Sequence, residues 1–197
     1  ALLANDERAG NCGAQGSESS VTWALTENGA GTYTLTISGA GAMMDYDSPT
    51  SSKDEAVKAP WYAALSPVSD NLVPITQIVI GDGITYVGSY AFAYTSVTTA
   101  GFNQNTADYG AGVYAGCKQL TTVDWTNFKP TQVQDDFVTS RTETGPFVPF
   151  SLFDQCENLT TCKIESTTYN AGTLVLPENI TGICTAAFRN TGFRNVD

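Results

Sequence analysis

An aromatic-centred block of six residues recurs four times along this chain, and it constrains the fold more than any single residue does. The copies are Val87-Gly88-Ser89-Tyr90-Ala91-Phe92, Tyr109-Gly110-Ala111-Gly112-Val113-Tyr114, Val148-Pro149-Phe150-Ser151-Leu152-Phe153 and Ile183-Cys184-Thr185-Ala186-Ala187-Phe188. In each, a small or aliphatic residue immediately precedes the closing aromatic. Three residues further on stand Thr95, Cys117, Cys156 and Thr191, and then a large apolar residue: Val97, Leu120, Leu159 or Phe193. Successive aromatics lie 22, 39 and 35 residues apart, so the units share a core and differ in loop length. Irregular periods of this size indicate stacked repeats, each burying its apolar face only against its neighbours.

An alternating segment follows the large apolar residue. Leu120-Thr121-Thr122-Val123-Asp124-Trp125 and Leu159-Thr160-Thr161-Cys162-Lys163-Ile164 are the clear cases, and Ile75-Thr76-Gln77-Ile78-Val79-Ile80 fits the same template. Strand side chains alternate faces, so Val123 and Trp125 are expected inside while Thr122 and Asp124 face out. The first and fourth units agree for over twenty residues at a constant offset of 96.

The runs 78–92 and 174–188, together with Cys117 to Thr122 and Cys156 to Thr161, resemble BspA-like (Treponema-type) leucine-rich repeats of bacterial surface proteins. Cys12-Gly13, Val21 to Trp23, Leu35 to Gly41 and Pro60-Trp61 resemble the segment that often precedes such repeats. The second unit departs from the family pattern with Gly112-Val113-Tyr114, and the third with Pro149 in place of Gly. The resemblance implies a leucine-rich-repeat solenoid, right-handed and β-rich with short helical turns, of the α/β class. Three segments are expected: a flexible N-terminus at 1–10, a β-hairpin cap and connecting loop at 11–69, and four irregular repeats at 70–197 with an inserted loop at about 127–146. The hairpin reads as strands over 21–26 and 31–38 around Asn28-Gly29-Ala30-Gly31, because Asn and Gly accept positive φ. Its expected role is to cover the unpaired edge and apolar end of the first repeat. A short helix is expected at 60–65. The chain stops at Asn195-Val196-Asp197 where a further strand would begin, so it is expected to continue or to be covered by another chain.

Composition removes several function classes. With 42% hydrophobic and 15% charged residues, the chain can bury a core and is not disordered by composition. The net charge is −11, which repels nucleic acid and anionic lipid, since phosphate binding needs clustered cations. No apolar run approaches the roughly 20 residues that span a bilayer. The absence of His excludes Ser-His-Asp and Cys-His triads and His-based metal sites. Gly39-Ala40-Gly41 lacks the remaining glycine and the helix of a dinucleotide fingerprint. The five cysteines have neither C-x-x-C spacing nor an even count, so Cys117, Cys156 and Cys162 read as small buried core residues. A Cys117–Cys156 disulfide is the alternative in an oxidising setting. The acid pairs Asp45/Asp47 and Asp135/Asp136 are loop carboxylates that could serve a glycosidase or a calcium ion only by default.

The chain is therefore read as a non-enzymatic, extracellular or cell-surface binding module with no cofactor and no metal. The resemblance implies adhesion to a host-matrix or other cell-surface protein. Contacts are expected on the outward sheet face at Gln77, Val79, Thr122, Asp124, Thr126, Thr161, Lys163 and Glu165, and in the inserted loop at Asp135, Asp136 and Arg141. Thr173 and Val175 extend that face. Two alternatives are a structural spacer within a longer surface protein and carbohydrate binding by Tyr46, Trp61, Tyr62 and Tyr109. Burial of those aromatics would remove the carbohydrate reading.

Overall fold

The computed structural model describes residues 8–131, 133–134 and 144–197. Strand β1 (Ala9–Asn11) pairs antiparallel with β2 (Val21–Gly29), which turns at Ala30-Gly31 into β3 (Thr32–Gly39). Gly31 takes the positive φ of 76° that this turn requires. Ala9 and Gly10, expected in the flexible N-terminus, are thus part of this sheet. Val21, Trp23 and Leu25 alternate with Thr22, Ala24 and Thr26 on β2, as Tyr33, Leu35 and Ile37 do with threonines and Ser38 on β3, and the large apolar residues are buried. After β4 (Gly41–Ala42) and helix α1 (Trp61–Ala64), strand β5 (Ile75–Ile80) lies parallel to β3, so the hairpin sheet runs directly into the repeats.

The repeats supply β6 (Ile84–Val87), β7 (Thr99–Ala100), β8 (Asp108–Tyr109), β9 (Thr122–Asp124), β10 (Val133–Gln134), β11 (Thr144–Gly145), β12 (Phe147–Val148), β13 (Thr161–Ile164), β14 (Thr167–Thr168), β15 (Thr173–Leu174), β16 (Gly182–Ile183) and β17 (Asn195–Val196). Parallel pairing joins β7, β9 and β13, joins β4, β6 and β8, and links β12 to β16 and β15 to β17. The order β1-β2-β3-β5 forms one four-stranded sheet and β14-β13-β9-β7 another. On this side the repeats thus fall into three sheets: β5 with the hairpin, β7, β9 and β13 with β14, and β15 with β17.

The six-residue blocks form arches of successive i to i−3 turns rather than short helices. In each arch the residues two before and two after the aromatic adopt positive φ: Tyr90 and Tyr94, Gly112 and Gly116, Ser151 and Gln155, Ala186 and Asn190. That alternation turns every second amide along the stacking axis. Tyr90, Phe92 and Tyr94 donate to the carbonyls of Ala111, Val113 and Ala115. Gly112, Tyr114 and Gly116 donate to Phe150, Leu152 and Asp154, and Ser151, Phe153 and Gln155 donate to Thr185, Ala187 and Arg189. The four aromatics stack in a column, with 5.8 Å between ring centroids at each of its steps.

This geometry explains the departures of the second unit. A Cβ on Gly112 would lie 2.3 Å from the Tyr90 ring, and one on Gly116 would lie 2.5 Å from the Tyr94 ring. Tyr114 carries a hydroxyl where the other three arches have Phe, and that hydroxyl donates to the Gly101 carbonyl at 2.9 Å. In the third unit Pro149 has no N–H to give at the position where Gly110 donates to Val87. The residues three past the aromatics close the arches in two ways. Thr95 and Thr191 hydroxyls donate to the aromatic carbonyl of their own arch, Phe92 and Phe188. The Cys117 and Cys156 thiols donate to that of the preceding arch, Phe92 and Tyr114.

The first arch has no repeat before it, yet its equivalent carbonyls are occupied. The Ser89 carbonyl accepts from the Tyr46 N–H at 3.0 Å, the Ala91 carbonyl from the Trp61 indole N–H at 2.9 Å, and the Ala93 carbonyl from the Tyr62 hydroxyl. Trp61 is fully buried, edge-on to Trp23 and Tyr46.

Candidate binding surface

Strands β9 and β13 lie in parallel register, Thr161 opposite Thr122 and Lys163 opposite Asp124. Val123 and Cys162 are buried beneath them, which leaves Thr122, Asp124, Thr161 and Lys163 half-exposed on the outer face. One Asp124 carboxylate oxygen accepts from the Thr126 N–H at 3.0 Å and from the Thr126 hydroxyl, and the other lies 3.4 Å from Lys163 Nζ. The Thr126 hydroxyl oxygen in turn accepts from the Glu165 N–H at 2.8 Å. Partial burial acts to raise the Asp124 pKa, but the Thr126 hydrogen bonds and the Lys163 ammonium outweigh it and hold the carboxyl below its ordinary value. An ion pair this exposed adds only about 0–1 kcal/mol to stability. Its consequence is orientation: the acid and the amine are held side by side on a threonine-covered face.

Six of the expected contact residues thus come together: Thr122, Asp124, Thr126, Thr161, Lys163 and Glu165. Gln77 and Val79 do not join them, because β5 belongs to the hairpin sheet. Val79 is exposed, and Gln77 Oε1 accepts from the Thr34 hydroxyl at 3.1 Å. Thr173 in β15 and Val175 just after it are half-exposed. Asp135, Asp136 and Arg141 lie outside the described residues. The sequence reading missed Thr99, which pairs opposite Thr122 on β7. Extending the strand template to Val97-Thr98-Thr99-Ala100-Gly101-Phe102 would have found it.

The start of the expected inserted loop is core rather than appendage. Phe128 is buried among Phe102, Trp125 and Tyr109, and Thr131 is anchored to the Asp108 carboxylate through its N–H and its hydroxyl. Removing all of 127–146 would remove Phe128 as well.

The remaining candidates are engaged elsewhere. Asp45 Oδ1 accepts from the Tyr86 hydroxyl at 2.6 Å and the Ser89 N–H at 2.8 Å, while Asp47 accepts from the Val57 N–H and the Lys53 ammonium. Trp61, Tyr46 and Tyr109 are buried, and half-buried Tyr62 has its hydroxyl turned to the first arch, so these aromatics offer no stacking platform for a sugar. Cys117 and Cys156 are reduced thiols within the core. Burial pushes the Cys117 thiol up to about 11, with Thr95 offsetting part of the rise. No helix among the described residues is long and apolar enough to cross a membrane.

Residues 70–142 match a family model described as BspA type leucine rich repeat region (6 copies). The matched stretch takes in the first two arches, and the arches at 148–153 and 183–188 continue the same geometry past it. Among solved structures the chain is similar to a leucine-rich repeat protein from Eubacterium ventriosum at 16% identity and a TM-score of 0.41, covering 96% of this chain and 60% of that one. It is similar to a leucine rich cell surface protein from Faecalibacterium prausnitzii at 16% identity and a TM-score of 0.31, over 98% of this chain and 55% of that one. The pneumococcal vaccine antigen PcpA gives 13% identity and a TM-score of 0.32, over 96% and 49%. The chain spans about half to three-fifths of the length of these proteins. Comparison with curated proteins gave no match.

Proposed function

We propose that this chain is a binding module without turnover, displayed outside the cell or on its surface, that meets a protein partner through the β9–β13 face. The observation that carries this reading is the Asp124–Thr126–Lys163–Glu165 arrangement. Four polar groups are held in fixed register over a buried strand pair, where a mixed-charge protein surface can dock without ordering them further. The BspA-type repeats support an adhesion role of this kind. The same reading takes residues 70–197 as a right-handed solenoid and residues 11–69 as its N-terminal cap. Support for the cap comes from Tyr46, Trp61 and Tyr62, which occupy the first arch's carbonyls in place of a preceding repeat.

The test is surface-immobilised binding to fibronectin and fibrinogen at low and physiological salt. Saturable binding is expected to weaken with salt and to fall further in the Asp124→Ala/Lys163→Ala double variant, since exposed charges are screened. Binding of equal strength by wild type and double variant would remove the face from the account.

A further inference from the structure

The offset of 96 that relates the first and fourth units places two strand interfaces in exact correspondence, β5 with β7 and β15 with β17. In the fourth unit the interface is closed. Thr173 pairs with Asn195 and Leu174 with Val196, and the Gly172 carbonyl accepts from the N–H groups of Arg194 and Asn195. The Thr98 carbonyl accepts from Thr121 and Thr122 in the same pattern, and the Thr121 carbonyl from Thr160 and Thr161. The corresponding bonds from Thr98 and Thr99 to Thr76 are not formed. Each of β5 and β7 is instead the last strand of its sheet.

Between them opens a cleft of about 420 Å³. It is held at both ends. At one end the Ser96 N–H donates to Ile75 at 2.9 Å and the Ser96 hydroxyl to Val73. At the other, Asn103 Nδ2 donates to the Ile80 carbonyl at 2.6 Å. Its origin lies in the sequence. Ala100 and Gly101 stand where the later units have Val123 and Asp124, or Cys162 and Lys163, so the inner side of β7 is thin and its outer side bare. Ile78 and Ile80 are consequently only half-buried, whereas their counterparts Val123 and Trp125 are fully covered.

The geometry points to a receptor for an extended peptide: we propose that an uncharged segment of a partner protein enters this cleft and adds as a strand to the free edge of β5. A strand edge is recognised by the main chain of another strand, and side-chain pockets then set the preference. Thr76 to Ile80 offers four steps of about 3.3 Å, roughly 13 Å, which suits three or four extended residues. The floor presents Phe102, Tyr114 and Ile78, and the rim presents Thr76, Gln77 and Thr99. Among the described residues no carboxylate, ammonium or guanidinium lines the cleft. The inward residues of the guest are therefore apolar and its outward residues small and polar. This site is separate from the β9–β13 face and does not depend on it.

The experiment titrates the whole chain with a blocked hexapeptide of alternating Thr and Val, following backbone amide chemical shifts. Saturable shifts are expected at 76–80 and 97–101. A peptide N-methylated at alternate amides loses two or more donors and is expected to bind at least about tenfold more weakly. Gly101→Trp fills the cleft from a position where an added Cβ meets nothing within 4 Å, and is expected to abolish binding while leaving the thermal midpoint unchanged. Asp124→Ala/Lys163→Ala is expected to bind the peptide like wild type, which separates this site from the sheet face. Equal affinity of the methylated peptide, unaltered binding by a folded Gly101→Trp chain, or no shifts at 76–80 would each overturn the proposal. Concentration-dependent self-association abolished by Gly101→Trp would assign the cleft to a second copy of the chain and overturn it equally.

Discussion

The arches and the strand face are two sides of the same turns, yet they are built to different tolerances. On the arch side, hydrogen bonds from alternate residues recur in the same three positions at every interface, and four aromatics stack at one spacing. On the strand side, elements shrink to two residues, the sheet divides between β5 and β7 and again between β13 and β15, and a segment of some twenty residues intervenes after β9. The comparison teaches where the repeat stores its specification. An arch whose amides are buried and paired leaves no freedom, because an unmade bond there carries the desolvation cost of the group. A strand face open to solvent can lose a pairing to water, so variation and binding surfaces accumulate there.

Breaking the column should produce the largest effect. Phe153→Ala removes a fully buried ring stacked between Tyr114 and Phe188, and is expected to cost about 3–5 kcal/mol in denaturant unfolding. Gly112→Ala comes next, at about 1–3 kcal/mol, because φ is +62° and the new Cβ meets the Tyr90 ring. Gly101→Ala on the strand side meets nothing and should stay within about 0.5 kcal/mol, so this pair of glycines measures the difference between the two sides. Trp61→Phe shrinks a fully buried ring and leaves the Ala91 carbonyl without its indole donor, and should cost about 1–3 kcal/mol. If that loss is absent, the N-terminal region does not close the first arch.

The smallest expected effect lies on the strand face and depends on pH. The Asp124 carboxyl titrates below its ordinary 3.8 in the folded chain, so its contribution to stability is complete above the unfolded-state pKa and is lost as pH falls through the folded value. Asp124→Asn should therefore make the acid limb of a stability–pH curve shallower below about pH 4 while leaving the arches untouched. An unchanged acid limb would mean that the Thr126 and Lys163 contacts do not persist in solution.

Much of this division was legible in the residues. The recurrence of the four aromatics, the buried Cys117 position and the inward Val123 and Trp125 all follow from register, because buried positions admit few residue types. The arch conformation was not legible. Its positive-φ positions hold Tyr90, Gly112, Ser151 and Ala186, which share no chemistry, since what they share is a direction for the amide. The split between β5 and β7 was not legible either, because Ala100 and Gly101 erase the large-apolar alternation that marks a strand. Phe128 was assigned to a loop on sequence position, whereas its place beside Phe102 and Trp125 is a tertiary contact. For the binding surface, the outward faces of β9 and β13 were readable from alternation alone. Whether β5 shared their sheet depended on pairing between strands, which a single sequence does not encode.

Amide hydrogen exchange across the whole chain tests the contrast most directly. The account predicts slow exchange at Tyr90, Phe92, Tyr94, Gly112, Tyr114, Gly116, Ser151, Phe153 and Gln155, and at the closed Asn195 edge, with fast exchange at Thr98 and Thr99. Protection of Thr98 and Thr99 equal to that of Thr121 and Thr122 would mean that β7 is paired with β5, and would contradict it.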